Sequence, residues 1–306
     1  AECQFHNGTR NATDCAMISL FLLSCLQFHA GKLPNAPSEY PYMTIDDTII
    51  RYDIQGEGPA VVMLHGYASS LNVWDRVHQE IVKTRKVIRL DLKGFGWSSR
   101  PEGDYSPKAQ AEIVWLLLQK LNIQTFDLVA HSWGASVALQ MALMEPKRIK
   151  RLALYDAWVY EEQLPAFFVW SRVPTFGETL FRMWYKERID DRMAAAFYRP
   201  QDAFEQEFVD HVQSTLERPG TVAAALASAR GQQYTEIQKD YKSIDIPVLL
   251  LWGEQDVVSP IWVAEQLAYE LPKAQIQSFG SCGHFPMIEA FGPSTIALQK
   301  FLDEDF

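Results

Sequence analysis

The first residue that could do chemistry is a serine at a predicted sharp turn. Ser132 stands in the pentapeptide AHSWG at residues 130–134, after an apolar run at 126–130 and before a helix-forming run at 135–145. The pattern predicts a strand, a turn and a helix, with the hydroxyl raised above the end of a sheet and the helix N-terminus directed at whatever it attacks. The pentapeptide by itself favours a simpler interpretation, in which Ser132 is only a helix N-cap.

A carboxylate and a histidine that could activate this serine follow further along the chain. Asp256 comes shortly after an apolar run at residues 246–252, and His284 comes after a strand candidate at 275–279. Parallel strands place their carboxyl ends at one edge of a sheet, so both side chains are expected near Ser132. A hydroxyl activated by a histidine that a carboxylate orients is the arrangement of nucleophilic acyl transfer. We therefore predict Ser132 as nucleophile, Asp256 as acid and His284 as base.

Each downstream residue also has a simpler interpretation, and a second carboxylate competes for one of the roles. His284 could be a loop histidine satisfied by its neighbours, and Asp256 could cap a helix predicted at residues 260–271. Asp156, which follows the apolar run at 152–155, could orient His284 in place of Asp256. We favour Asp256 because its strand lies beside the strand of the histidine if consecutive strands are neighbours.

Two backbone amides are candidates for stabilising the negative charge that develops during acyl transfer. The apolar run at residues 61–64 ends in the tripeptide His65-Gly66-Tyr67. Gly66 lets the loop turn its amides inward, and Trp133 directly follows the predicted nucleophile. We predict that the backbone N–H groups of Tyr67 and Trp133 form an oxyanion hole, in which each donor contributes on the order of 3 kcal/mol to transition-state stabilisation.

Five motifs in this order resemble those of the α/β-hydrolase superfamily, and the resemblance extends from about residue 42 to the C-terminus. The motifs are HGY at 65–67, DLKGFGWSS at 91–99, AHSWG at 130–134, GEQD at 253–256 and GH at 283–284. The resemblance implies an α/β fold with a mostly parallel, eight-stranded sheet flanked by helices and a helical cap inserted after strand 6. It also implies the roles of nucleophile, acid and base for Ser132, Asp256 and His284.

The sequence departs from narrower families of this superfamily at several positions. Haloalkane dehalogenases and epoxide hydrolases carry aspartate where Ser132 stands, so the serine argues against both activities. Proline iminopeptidases share the tryptophan after the serine, but their glycine-rich oxyanion segment is replaced here by HGYASS at 65–70. Carbon–carbon bond hydrolases commonly have tryptophan after the histidine, where this chain has Phe285. Ala130 replaces the usual first glycine of the serine motif, which is tolerable because the side chain is small.

The 306 residues are sufficient for one hydrolase domain with an insertion. Predicted strands and helices alternate over residues 41–157 and 241–306, which we interpret as the core. Residues 158–240 lack the strand pattern and are predicted to form a helical cap, and residues 1–40 are an N-terminal extension. The cap is rich in aromatic side chains, some of which are predicted to line an apolar pocket above Ser132. These aromatic residues are Trp158, Phe167, Phe168, Trp170, Phe176, Phe181, Trp184, Tyr185, Phe197 and Tyr198.

Charge and composition argue against several classes of partner and ligand. The formal net charge is -10, and the basic residues are scattered, which argues against nucleic acid and anionic membranes as partners. No cysteine–histidine spacing suggests a metal site, and the predicted chemistry needs no cofactor. Cys282, beside the histidine, is expected to be a packing residue rather than a second nucleophile.

The N-terminal segment allows two interpretations of where the protein is located. Residues 16–28 form an apolar run that is too short to span a bilayer but long enough for the core of a secretory signal. The protein would then be secreted, periplasmic or lipid-anchored. The alternative is a cytoplasmic protein in which this segment packs on the body or on another subunit. A disulfide between Cys3 and Cys15 would suit an oxidising compartment, whereas reduced thiols would suit the cytoplasm.

The sequence therefore predicts a serine hydrolase that cleaves carboxylic esters with an apolar acyl or alcohol part. A carbon–carbon bond hydrolase of ring-cleavage products and a prolyl-type aminopeptidase would use the same three side chains and are the alternatives. A non-catalytic receptor for a small ligand is a third interpretation, against which the complete set of catalytic residue types argues. The sequence leaves the physiological substrate and the oligomeric state open.

Overall fold

The computed structural model describes residues 26–185, 194–200 and 206–304. The signal-like segment expected from the sequence falls mostly outside these ranges, because residues 16–25 are not described. Cys3 and Cys15 of the expected disulfide also lie outside the described residues. In the described part of the chain, no helix has the length and apolar character needed to cross a membrane.

The described residues form a mostly parallel sheet of eight strands, as predicted. The strands are β1 (Tyr42–Ile45), β2 (Thr48–Gln55), β3 (Ala60–Leu64), β4 (Lys86–Leu90), β5 (Phe126–His131), β6 (Ile149–Tyr155), β7 (Val248–Gly253) and β8 (Ala274–Phe279). Their order across the sheet is β1-β2-β4-β3-β5-β6-β7-β8. Strand β2 pairs antiparallel with β1 and β4, and the other neighbours are parallel. Every residue of β5 and β7 is buried, which is typical of central strands covered on both faces.

Helices connect these strands and flank the sheet. The α-helices of the described residues are α1 (Asp75–Ile81), α2 (Pro107–Lys120), α3 (Trp133–Met144), α4 (Ala166–Ser171), α5 (Phe176–Trp184), α6 (Gln206–Leu216), α7 (Thr221–Gly231), α8 (Trp262–Glu270), α9 (Pro286–Glu289) and α10 (Phe291–Asp303). Short 3₁₀ helices lie at Leu71–Trp74, Pro146–Arg148, Glu161–Gln163 and Ile237–Ser243, and residues 194–196 form one helical turn.

The two faces of the sheet are covered by different helices. One apolar cluster packs Leu128 of β5 and Leu250 of β7 against side chains of α2, α3 and α8. The other packs Val129 of β5 and Leu251 of β7 against side chains of α1 and α10. Successive residues of a strand point to opposite faces, so an unbroken apolar run in the sequence supplies both clusters.

Helices α4 to α7 form an insertion between β6 and β7, in the region where the sequence predicts helices without strands. Phe181 of α5 and Tyr185, which directly follows this helix, are buried together with Ala225 and Leu226 of α7. Tyr67, in the loop after β3, packs against this cluster. The insertion therefore lies against the loop in which the sequence predicts an oxyanion donor.

The aromatic side chains of the insertion divide into buried and exposed ones. Phe181, Tyr185 and Phe197 are buried, whereas Trp170 and Phe176 are 56% and 49% exposed. The side chain of Trp184 lies outside the described part of the structure. Trp170 and Phe176 therefore keep exposed ring surface that a bound molecule could contact.

Candidate active site

The turn after β5 holds Ser132 in a backbone conformation that side chains rarely adopt. Its φ is 51° and its ψ is -125°, so the turn carries strain that its surroundings must offset. Ser132 N–H donates to Tyr155 O at 2.9 Å. Ser132 O accepts from Ala135 N–H at 2.9 Å and from Trp158 N–H at 3.0 Å. The Ser132 side chain makes no capping hydrogen bond to α3. A helix-capping role for the hydroxyl is therefore wrong, and Oγ is left for another partner.

Two glycines allow the backbone around Ser132 to pack closely. A β-carbon on Gly134 would lie 2.4 Å from His65 O, and one on Gly66 would lie 2.9 Å from Ser132 Cβ. Helix α3 therefore begins directly against the end of β3, and the loop after β3 lies against the serine. This explains the glycine at the last position of the serine motif. Ala130 at the first position is fully buried and is accommodated.

The structure brings together the three side chains that the sequence singled out. His284 Nε2 lies 2.9 Å from Ser132 Oγ, and His284 Nδ1 lies 2.7 Å from Asp256 Oδ2. Ser132 follows β5, Asp256 lies in the loop after β7 and His284 lies in the loop after β8. All three therefore meet at the carboxyl edge of the sheet. Each is at most 7% exposed, and exclusion of water strengthens hydrogen bonds of this kind.

Asp256 is fixed by its own loop as well as by the histidine. Its Oδ1 accepts from Val258 N–H at 2.7 Å and from Ser259 N–H at 3.0 Å. The N-cap residue of α8 is Ile261, so the interpretation of Asp256 as the cap of this helix is wrong. Two loop amides instead hold the carboxylate with Oδ2 facing His284.

His131 contacts His284, and the sequence pattern did not reveal this contact. His131 Nε2–H donates to His284 O at 2.8 Å, and the two ring centroids are 4.8 Å apart. Burial, followed by the proximity of His284, holds the pKa of His131 well below its ordinary value of 6.5. The His131 ring is therefore neutral and fixes the backbone of the histidine loop. The position of His131 directly before Ser132 in the sequence was the signal that could have placed His131 near His284.

Glu289 joins the histidine loop to the insertion. Its Oε1 accepts from Gly283 N–H at 2.9 Å, and its Oε2 accepts from Tyr198 N–H at 2.8 Å. His284 N–H also donates to Ala196 O at 2.8 Å. The insertion therefore helps to fix the loop that carries His284. No motif in the sequence marks Glu289 for this role.

The loop after β3 is held in place by His65. Its Nδ1–H donates to Gly66 O at 2.7 Å, and its Nε2 accepts from Leu92 N–H at 3.0 Å. Burial is the main reason that the pKa of His65 is lowered. His65 is therefore a neutral ring with one donor and one acceptor, and it sets the path of the loop.

The amides of Tyr67 and Trp133 lie in the segments that meet at Ser132. The Tyr67 side chain is anchored because its hydroxyl donates to Ala225 O at 2.9 Å. Trp133 is the first residue of α3, and its N–H finds no backbone acceptor in the described part of the chain. The Tyr67 and Trp133 rings contact each other, with centroids 6.3 Å apart. That these two amides bind an oxyanion stays a prediction.

Asp156, the competing carboxylate, lies beside Asp256 and not in contact with His284 Nδ1. Asp156 Oδ1 accepts from Gly253 N–H at 3.0 Å, whereas its buried Oδ2 receives no hydrogen bond in the described structure. One atom each of Asp156, Asp256 and His284 lie within 4.8 Å of one another. Burial, followed by the nearby Asp256, raises the pKa of Asp156 well above its ordinary value of 3.8. Asp156 therefore holds a proton more readily than an ordinary carboxyl does.

We expect Asp156→Asn to change stability in a pH-dependent way. A carboxyl whose pKa is raised by folding keeps a proton that the unfolded chain releases, so the wild-type free energy of unfolding falls as the pH rises above about 4. Asparagine has no such proton and keeps an acceptor for Gly253 N–H. Urea unfolding at about pH 5 and about pH 8 should therefore show the variant gaining stability relative to wild type as the pH rises.

Asp240→Asn is the control for this experiment, because it removes a carboxyl group from an exposed position. Its stability relative to wild type should change little between the two pH values. A stability difference between Asp156→Asn and wild type that is the same at both pH values would show that Asp156 is not neutral in the folded protein.

The geometry at this edge of the sheet favours neither a bound metal ion nor Cys282 as a second nucleophile. Asp156, Asp256 and His284 form a group that could hold a metal ion among the described residues. A metal would have to replace the 2.7 Å hydrogen bond between Asp256 and His284, and the raised pKa of Asp156 makes it a weaker ligand than an ordinary carboxylate. Cys282 is fully buried, and burial raises the pKa of its thiol. Both facts agree with the predicted packing role of Cys282.

Comparisons with known proteins agree with this fold. Residues 59–291 match the family model of the alpha/beta hydrolase fold. A 2-hydroxymuconate semialdehyde hydrolase of Pseudomonas sp. (strain CF600) is 29% identical over 290 residues, which cover 88% of this chain and 97% of that protein. A pimeloyl-[acyl-carrier protein] methyl ester esterase of Nitrosomonas europaea is 26% identical over 244 residues, which cover 78% of this chain and 94% of that protein.

The fold is also similar to that of a solved structure. Wild-type Cfl2 of Burkholderia cenocepacia superimposes with a TM-score of 0.76 at 26% identity, over 86% of this chain and 95% of that chain. The family model covers the segment from β3 to the start of α10, which includes Ser132, Asp256 and His284. The chain belongs to the alpha/beta hydrolase fold family.

Proposed function

We propose that the protein is a serine hydrolase that cleaves carboxylic esters with an apolar acyl or alcohol part. The observation that carries this proposal is the hydrogen-bonded line from Asp256 through His284 to Ser132, with contacts of 2.7 Å and 2.9 Å. A serine hydroxyl becomes nucleophilic when a histidine accepts its proton. The carboxylate holds the histidine in the tautomer whose Nε2 can do so.

The reaction would proceed through an acyl-enzyme. His284 Nε2 takes the proton of Ser132 Oγ as Oγ attacks the ester carbonyl carbon. Negative charge develops on the carbonyl oxygen, where the amides of Tyr67 and Trp133 stabilise it. His284 then gives the proton to the departing alcohol, and the acyl group stays on Ser132. Water deprotonated by His284 attacks the acyl carbonyl, and the acid leaves as Ser132 Oγ regains its proton.

The side chains around Tyr67 support an apolar substrate. The Tyr67 ring contacts the rings of Phe168 and Phe95, with centroid distances of 5.2 Å and 5.4 Å. Phe168 belongs to α4, so the insertion brings aromatic surface to the residue that is predicted to supply an oxyanion donor. Apolar walls of this kind favour hydrocarbon groups in a bound substrate.

A second candidate function is hydrolysis of a carbon–carbon bond in a ring-cleavage product. The similarity to a 2-hydroxymuconate semialdehyde hydrolase over most of both chains favours it. This reaction would use the same Ser132, Asp256 and His284. Phe285 favours ester hydrolysis over this reaction, because carbon–carbon bond hydrolases commonly have tryptophan at this position. Its ring stacks on Phe197 with centroids 4.7 Å apart.

A chain-length series of p-nitrophenyl esters tests the proposal, with a hydroxymuconate-type compound as the competing substrate. Each buried methylene contributes roughly 0.8 kcal/mol, so we expect kcat/KM to rise by at least about tenfold from the acetate to the hexanoate. We also expect the hexanoate to exceed the hydroxymuconate-type compound. A preference for acetate would contradict an apolar pocket, and faster cleavage of the carbon–carbon bond would favour the second candidate. A non-catalytic receptor would leave Ser132 unlabelled by a fluorophosphonate.

A further inference from the structure

A cavity of about 850 Å³ lies beside α7, between the insertion and the core. Its apolar walls come from the chain before β1, from the loop before α2 and from α7. The apolar residues are Leu26, Phe28, Tyr105, Ala223, Leu226 and Ala227. The rings of Phe28 and Tyr105 stack at 6.0 Å, which makes the wall continuous. The volume lies in the range of pockets that enclose small molecules.

Helix α7 borders this cavity and also contacts Tyr67. Ala225 O accepts the hydrogen bond of the Tyr67 hydroxyl on one side of the helix. Ala223, Leu226 and Ala227 of the same helix line the cavity. The described residues that line the cavity include none of the three side chains at the sheet edge. The cavity is therefore distinct from the site of Ser132.

Arg182 of α5 is the cation of this cavity that has no carboxylate partner among the described residues. Its Nη1 is buried without a hydrogen-bond partner, and it forms no ion pair with a described residue. The neighbouring Arg230 is different, because its Nη1 and Nη2 donate to both carboxylate oxygens of Glu178, at 2.7 Å and 3.0 Å. Asp104 at the rim is exposed and accepts from the Ser106 amide and hydroxyl. Of the two arginines that line the cavity, Arg182 is therefore the one without a carboxylate partner among the described residues.

The Arg182 guanidinium lines the cavity without an ion-pair partner among the described residues, and such a group fits one class of ligand group. The planar guanidinium matches a carboxylate through two parallel hydrogen bonds. The stretch of wall formed by Phe28, Tyr105 and Leu226 is apolar and matches a hydrocarbon chain, whereas Thr175, Thr179 and Gln233 are polar lining residues.

We propose that this cavity binds an amphipathic monocarboxylate, with the carboxylate on Arg182 and the hydrocarbon chain along Phe28, Tyr105 and Leu226. The site goes beyond the proposed function, because it does not include Ser132 and its occupation needs no bond cleavage. A carboxylic acid with a chain of medium length has both of the features that the cavity presents.

Binding of decanoate to the full chain, measured by titration calorimetry, tests this site. The protein is first treated with a fluorophosphonate, so that a blocked Ser132 excludes decanoate from the predicted active site. The titration is repeated on untreated protein. Failure of the fluorophosphonate to label Ser132 would contradict the proposed function, but the binding test would still be valid. We expect one saturable site. Decanol should bind at least about tenfold more weakly, because it lacks the charge-assisted hydrogen bonds.

Variants of the cavity identify where decanoate binds. Arg182→Gln should weaken decanoate by at least about tenfold and leave decanol nearly unchanged. Ala227→Phe fills the cavity and should weaken both ligands. Lys239→Gln, which removes an exposed cation elsewhere in the insertion, is the matched control and should bind decanoate like wild type.

Three results would overturn the inference, and the first two concern decanoate alone. The first is the absence of saturable decanoate binding, and the second is binding that neither Arg182→Gln nor Ala227→Phe weakens. Equal affinity for decanol and decanoate would exclude recognition of the carboxylate. Near-ultraviolet circular dichroism checks that each variant is folded. Arg182 is only half-buried, so the Arg182→Gln variant still tests the inference if the Ala227→Phe variant does not fold.

Discussion

Ser132→Ala is expected to lower kcat for p-nitrophenyl esters by about 10⁴-fold or more. The substitution removes the oxygen that lies 2.9 Å from His284 Nε2, so no acyl-enzyme can form. Residual turnover would come from the oxyanion donors and from substrate binding. The free energy of unfolding should change by less than about 1 kcal/mol, because the Ser132 side chain makes no capping hydrogen bond. Initial rates and urea unfolding on the same preparations measure the two effects.

Ser136→Ala is the matched control for this experiment. Ser136 is also a buried serine of the α3 region, and its hydroxyl donates to Trp133 O at 2.7 Å, one turn back. Loss of one such bond costs about 1 kcal/mol of stability and should leave kcat within a few-fold of wild type. Retention of wild-type turnover by Ser132→Ala would remove the basis for the proposed function. Equal losses in both variants would point to damage of α3 rather than to loss of a nucleophile.

Asp256→Asn should be the second most damaging substitution, lowering kcat by about 10³- to 10⁴-fold. Asp256 Oδ2 lies 2.7 Å from His284 Nδ1 and fixes the proton on that nitrogen. An asparagine amide can donate to Nδ1, which would move the proton to Nε2 and deprive Ser132 of its base. The pH dependence of kcat/KM, together with kcat itself, measures this loss.

Asp156→Asn is the matched comparison, because it changes the neighbouring carboxyl of the same cluster. The pKa of Asp156 is raised by burial and by Asp256, so a neutral carboxyl is exchanged for a neutral amide. We therefore expect kcat to stay within about tenfold of wild type. If Asp156→Asn were as damaging as Asp256→Asn, the two carboxyls would share the role that we assign to Asp256.

Local sequence patterns were sufficient to predict the sheet and the residues at its edge. The apolar runs that became β5 and β7 are buried along their whole length, which marks them as central strands. The chain must turn sharply between β5 and α3, and Gly134 is required where a β-carbon would meet His65 O at 2.4 Å. Glycines and polar residues after strands are short-range signals, so Ser132 and its partners could be found without coordinates.

Contacts between distant segments could not be predicted in this way. The hydrogen bond from His131 to His284 O joins residues 153 positions apart, and the bond from Tyr198 N–H to Glu289 joins residues 91 positions apart. No local pattern in the sequence shows that these residues contact one another. The cavity beside Arg182 has the same origin, because its walls come from the chain before β1, from the core and from the insertion.

The sequence by itself determined which chemical groups reach the carboxyl edge of the sheet, because strand, turn and helix signals act within a few residues. Only the tertiary structure decided that Asp256 bonds to His284 while Asp156, which follows the neighbouring strand β6, has a raised pKa. Distance and burial set both outcomes, and each depends on how β6, β7 and β8 are placed relative to one another. That placement comes from packing in the whole core, which no short stretch of sequence records.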